Sequence, residues 1–496
     1  MAQLPNGRQI TPQGAWITLA PFPFALAVRP DGQQIVVPSI GWPFSLNIID
    51  LPKSGEPRVT RIPGGDKNDP AVQVHAGVAY SPDGRFIYDA TGDSGAVDVN
   101  SAESWNRIAR IDLNGPTAGV SYAESFAANL VLSTDGRFLY VIDQGNWRIV
   151  VIDTASRVRI ASIATGANPL AMSISEDGKR LYFTNSGLFE YKLIEGVRKD
   201  DTLHTGLHFP PFAYPSANAR RGVRAEGHRV PGLGDENDIR GSSLWTCDIS
   251  NPAKPAVTAR LRLGSPIHAD AKGVIGGASP SGVIADSQHV YVTLSHEDSL
   301  AVITPDGREI QRLIALTPFS GRSFEDGKGR PLRGVMPLGL AQDAKRLYVT
   351  EAGINAVAVI DKESGRIIGH LNTGWYPAAV ALAPGHDWLY VVNNKGKGTG
   401  PNGASRKYIG ELELGSLSIL PLPIDDSVLA ESTTSVVRNN QAALLPGAKL
   451  PRLKHVFFTF ARTAPSMKSS ETLRVWMAMR RWRVSDCMAG PKRSRN

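Results

Sequence analysis

The chain has 496 residues, with 54 Lys and Arg against 46 Asp and Glu, for a formal net charge of +8. Residues 461–496 hold nine of those basic residues against only Glu471 and Asp486, so they carry +7 of the charge; the nearly neutral remainder argues against a nucleic-acid partner. Two cysteines, Cys247 and Cys487, exclude c-type haem attachment, a Cys-x-x-Cys zinc knuckle and a disulfide framework.

Residues 1–14 read as an N-terminal extension. Met1 to Gln13 has neither a basic nor an apolar leader region, and Trp16 to Val28 is broken by Pro21 and Pro23, so no signal peptide or membrane span is predicted there. From Ala15 onward the sequence repeats itself. An Asp-Gly turn is followed five residues later by a tyrosine-centred strand at Asp83 to Tyr88, Asp135 to Tyr140 and Asp177 to Tyr182. Weaker copies run from Asp31 to Val36, Asp286 to Tyr291, Asp343 to Tyr348 and Gly385 to Tyr390, which makes seven. Asp-Gly supplies the positive-φ corner that a hairpin needs.

The third copy spells out the unit. A short apolar run at Leu130 to Ser133 leads through the turn Thr134 to Arg137 into Phe138 to Ile142, then Arg148 to Asp153 and Val158 to Ile163. Four antiparallel strands per repeat describe a propeller blade, and a fixed repeat in sequence signals such an array. The fold class predicted is therefore all-β, a seven-bladed β-propeller of four-stranded antiparallel blades over residues 15–422. The last repeat lacks an outer strand and the first has a spare one, so Ala15 to Leu19 is expected to complete blade seven and close the ring. The step from Asp177 to Asp286 is far longer than the others. A long loop insertion at 192–241 in blade four accounts for it, since Phe209-Pro210-Pro211-Phe212, Tyr214-Pro215 and Arg220-Arg221 show no strand periodicity.

Tyr182-Phe-Thr-Asn185, Tyr291-Val-Thr-Leu294 and Tyr348-Val-Thr-Glu351, with Gly334-Val-Met-Pro-Leu-Gly-Leu340 and Thr373-Gly-Trp-Tyr-Pro377, resemble the YVTN repeat of bacterial β-propellers. The resemblance is to the propeller half of proteins in which seven such blades are fused to a metal-dependent phosphoesterase of the alkaline-phosphatase superfamily. It implies export, to the periplasm or outside the cell. Residues 423–458 then read as a linker and vestigial start of the phosphoesterase, with Lys454-His455-Val456 matching its opening. Beyond that the match stops. A one-nucleotide shift near Phe460 would let the bases of Ala461 to Leu473 read Arg-Glu-Asn-Arg-Thr-Phe-Asp-Glu-Val-Leu-Gly-Asp-Leu, the family's continuation. Residues 459–496 are accordingly expected to be an out-of-frame, disordered tail with no chemistry of their own. No phosphoesterase role, catalytic residue, metal ligand or cofactor is assigned.

Propellers bind ligands at the mouth of the central channel, beside the starts of the inner strands. His75, Asn168, His268, Met336, Trp375 and Tyr376 stand just before those strands. His75, His268, Trp375 and Tyr376 are the candidate ligand-binding residues. The histidines are either channel ligands or acid–base groups, or they merely hydrogen-bond loop backbone; Trp375 is expected to pack between blades. His204 and His208 have the spacing of a helical metal pair, but Gly206, Pro210 and Pro211 speak against a helix. Lys395-Gly-Lys397-Gly-Thr-Gly400 lacks the order of a phosphate loop and reads as a flexible loop in blade seven. Three functions stand: a monomeric, non-catalytic binding or scaffolding propeller for a small molecule, protein or cell-envelope ligand; an intact phosphoesterase fusion cut short by a sequence error; or a propeller enzyme such as a lactonase.

Overall fold

In a computed structural model, residues 2–4, 7–63, 73–198, 200–267, 276–316, 318, 334–398 and 409–441 are described. His268, Gly400 and the whole of 442–496, including the expected out-of-frame segment, lie outside them. The described residues form two compact units, 191–233 and the rest.

The larger unit contains seven four-stranded antiparallel sheets, whose first strands touch one another in succession around a ring. It is a seven-bladed β-propeller. Blade three comprises Ala127–Leu132, Phe138–Asp143, Arg148–Asp153 and Val158–Ala164. Its two middle strands are covered on both faces, and their apolar runs are correspondingly continuous, Leu139 to Ile142 and Ile149 to Ile152 all being buried. The fourth strand is only partly covered, exposed at Val158 and Ala164 and buried at Ala161 and Ile163, as a strand at a solvent edge should be.

The repeated motif has a physical content at each position. In Ser133-Thr-Asp135-Gly136, the Asp135 carboxylate accepts the Ser133 hydroxyl at 2.6 Å and the Arg137 N–H at 3.0 Å, while Gly136 turns the corner at φ +70°. Ser81-Asp83 and Ser175-Asp177 repeat this arrangement. The Ser81 and Arg85 contacts hold the Asp83 carboxyl down at about 2. Five residues on, the tyrosines reach back: Tyr291 and Tyr348 donate to Asp286 and Asp343 of their own turns. The threonine after them repairs the inner strand. Register shifts between Pro169 and Met172, Pro280 and Val283, and Pro337 and Leu340 free one N–H each. Those of Ala171, Gly282 and Gly339 donate to Thr184, Thr293 and Thr350 at 3.1, 2.7 and 2.7 Å, satisfying a buried donor as the interior demands.

Ala15–Pro21 pairs with Leu414–Pro421, so the strand from the chain's beginning is the outer strand of blade seven and closes the ring. Two segments carry structure beyond what the sequence led us to expect. The insertion in blade four is not a bare loop: it holds helical turns at Thr202–Thr205 and Ala217–Arg221 and a hairpin of Gly222–Ala225 with His228–Pro231. The stretch expected to be linker includes a helix, Asp426–Gln441, docked on the outer strand of blade six. Ser432 and Thr433 of that helix accept the Asn372 and His370 N–H groups, covering a strand edge that would otherwise stand open. Among the described residues no helix is long and apolar enough to cross a membrane.

Candidate functional site at the channel mouth

The two ends of the ring differ. At one end the chain turns through short corners, none longer than 51–57. At the other, where the inner strands begin, it runs through connections spanning 113–126, 186–242, 263–279, 316–336 and 394–413. The end where the inner strands begin is the channel mouth.

In five blades a left-handed residue stands where the chain enters the inner strand, directly before it at Asn168, Ser279, Met336 and Tyr376 and ahead of the Pro23 bridge at Phe22, with φ of 50°, 50°, 55°, 62° and 50°. Each precedes a proline, which disfavours the right-handed helical region for its neighbour. Each also accepts, on its carbonyl, the N–H of the residue after the second strand, at 2.8 to 3.2 Å; Phe126 of blade three accepts the Gln144 N–H in the same way. One backbone device is thus repeated around the mouth with a different side chain at each station. Three stations are clamped by a polar side chain, from the same blade or the one before it. Asp143 accepts the Phe126 N–H at 2.9 Å, Asp298 the Met336 N–H at 2.9 Å, and Asn355 the Tyr376 N–H at 3.0 Å. Asp143 is itself fixed by Arg148 at 2.8 Å, both being buried.

His75 stands at the start of blade two. Its Nδ1 lies 2.9 Å from the Ala128 carbonyl and must therefore carry the proton, leaving Nε2 as an acceptor. Its ring meets Phe126 edge-on with centroids 4.9 Å apart. Burial lowers its pKa, with the Ala128 contact opposing in part, so the imidazole is neutral at neutral pH. At blade seven, Tyr376 Oη donates to Met336 Sδ at 3.8 Å, and burial raises its phenol pKa. The site offers aromatic faces, a polarizable sulfur and a neutral ring nitrogen.

Of the sequence candidates, His75 and Tyr376 stand at this mouth, as do Asn168 and Met336. Trp375 is tied to its own blade. Its backbone pairs with Lys395 and Gly396, and its ring lies under the Lys395 ammonium at 4.9 Å and against Gly398, so it anchors the glycine-rich loop of its own blade. Lys397 sits over Trp16 at 4.8 Å. His204 and His208 bind different carboxylates, Asp201 at 2.6 Å and Glu226 at 2.7 Å, and form no pair. Cys247 is buried, which pushes its thiol up to about 12 and makes it inert. Among the described residues no three His, Cys, Asp or Glu gather as a metal site. Sequence reasoning missed Phe22, Phe126 and Ser279; the X-Pro dipeptide shared by five of the stations would have found two of them.

Fold and mouth together define a class, the seven-bladed β-propeller with an elaborated channel entrance. No protein-family model matches the chain, and no curated protein does. Among solved structures it is similar to Kuenenia stuttgartiensis hydrazine synthase, at 17% identity over 82% of this chain and 97% of that one, with a TM-score of 0.48. It is also similar to a streptogramin B lyase, at 12% identity over 82% and 98%, with a TM-score of 0.47. At such identities the chemistry of either protein stays with that protein.

Proposed function

We propose that this chain is a binding propeller, without catalysis of its own, that holds a small uncharged ligand at the loop-bearing mouth. The observation that carries the reading is the repeated left-handed turn: an identical backbone presents Phe22, Asn168, Ser279, Met336 and Tyr376 in turn, which is how a scaffold varies recognition without varying shape. Strained non-glycine positions held by surrounding structure are a recurrent property of ligand sites. His75 Nε2 would accept a hydrogen bond from the ligand while Phe126 and Tyr376 cover its apolar face.

A thermal-shift screen of neutral aromatic and saccharide compounds tests this. A saturable rise in melting temperature that disappears in both Tyr376→Ala and His75→Ala is expected. Saturable lactone hydrolysis by the purified protein, abolished in His75→Ala or His268→Ala, would instead establish a propeller enzyme. Within the binding reading, the chain is the monomeric recognition half of an exported propeller–phosphoesterase fusion. The Tyr-x-Thr repeats and Lys454-His455-Val456 support that assignment. Sequencing the gene across codons 450–496 tests it: an overlapping Arg-Glu-Asn-Arg frame is expected, and its absence would remove the fusion.

A further inference from the structure

Residues 191–233, the insertion of blade four, gather cations that the reading above does not use. The hairpin Gly222–Ala225 with His228–Pro231 turns at Glu226 and Gly227, and its register sets Arg224 directly opposite Arg229. Like charges directly opposite on a two-stranded ribbon are destabilising. Arg221 ends the preceding helical turn, and Lys192 enters from the start of the insertion. These four cations and one carboxylate, Glu195, line an open concavity of about 680 Å³. All four are exposed, and their side chains make no hydrogen bond or ion pair among the described residues. The other carboxylates of the hairpin region are occupied, Asp201 by Arg198 and His204, and Glu226 by His208. None of those carboxylates relieves the repulsion.

We propose that this concavity binds a diphosphate ester. Three guanidinium forks and an ammonium against one carboxylate leave an excess of three positive charges, which one phosphate does not neutralise and two linked phosphates do. Guanidinium groups engage phosphate oxygens bidentately, which an ammonium cannot do. The volume lies within the ~300–1,000 Å³ range of small-molecule sites, and Leu193, Val223 and Val230 add an apolar wall for the esterified group.

Calorimetric titration of the full chain with inorganic pyrophosphate tests the proposal, with inorganic phosphate and a nucleoside diphosphate as further arms. Saturable one-to-one binding of pyrophosphate is expected, tighter than phosphate, weakened by about tenfold or more in Arg224→Gln/Arg229→Gln, and tightest for the ester. Lys192→Gln, outside the hairpin, is expected to weaken binding as well, and Arg198→Gln to leave it unchanged. Because the double variant removes a repulsion, the Val223 and Val230 amide protons should exchange no faster in it than in the parent. No saturable binding, equal affinity for phosphate and pyrophosphate, or affinity that survives both the hairpin and the Lys192 variants would overturn the proposal. Binding of pyrophosphate that the nucleoside diphosphate does not improve on would remove the ester from it.

Discussion

Thr293 shows how much one side chain holds in place. Its hydroxyl accepts the Gly282 N–H at 2.7 Å and donates to the Leu338 carbonyl at 2.9 Å, joining the inner strands of two blades inside the wall. Thr293→Val keeps the shape and strands both groups in a dry interior, so a loss of about 2–3 kcal/mol is expected, with Thr293→Ser recovering most of it. Urea unfolding reads this as a lower midpoint at unchanged slope; a loss below about 0.5 kcal/mol would show the hydroxyl to be dispensable. Nearby, glycine is required by proximity. A methyl at Gly77 would stand 2.7 Å from Asn129 Cα, and main chain cannot step aside as a long side chain can. These roles explain why Tyr-x-Thr and Asp-Gly were readable in the sequence: each satisfies a local hydrogen-bond need within a few residues. The mouth was only partly readable because Asp298 meets Met336, and Asn355 meets Tyr376, across blades, and nothing local in the chain announces that meeting.

At the level of the blade, number two is built around an awkward acid. Asp89 is buried beside Asp98, which Arg110 holds bidentately at 2.7 and 2.8 Å, and Asn100 donates to Asp89 from the adjacent strand. Burial, and then the Asp98 charge, hold the Asp89 carboxyl well above the usual carboxylate range. The folded blade thus keeps a proton that the unfolded chain gives up. Its stability is greatest below the ordinary carboxylate pKa and falls as pH rises through the shifted one. Asp89→Asn has no proton to lose. Its urea midpoint should equal or exceed the parent's at about pH 8 and vary less between about pH 4 and pH 8. A variant that is weaker at high pH and keeps the parent's slope would place the titration elsewhere. Blades one and three to seven carry no such carboxyl pair opposite one another in their registers. The insertion and the Asp426–Gln441 helix escaped the sequence reading for a related reason. Their apolar positions are few and face structure built elsewhere, so neither shows the strong period that marks a self-sufficient amphipathic element.

At the level of the whole ring, the strand Ala15–Pro21 is held by pairing to Leu414–Pro421, and its Leu19 is buried in the core shared with Val392 and Leu417. Removing residues 2–21 opens blade seven and exposes an apolar edge, so the melting temperature is expected to fall by ~10 °C or more. Differential scanning calorimetry on the truncated and full chains decides it, an unchanged melt meaning that the ring does not need its latch. The same latch imposes an order of events on synthesis. Residues 17 and 417 are neighbours in space and 400 apart in the chain, so this early strand leaves the ribosome long before its partner does. At ~5–20 residues per second it waits ~20–80 s with Ile17 and Leu19 uncovered. A cell making this protein has to shelter that strand for the interval, and every one of the six blades completed meanwhile is provisional until the seventh is shut.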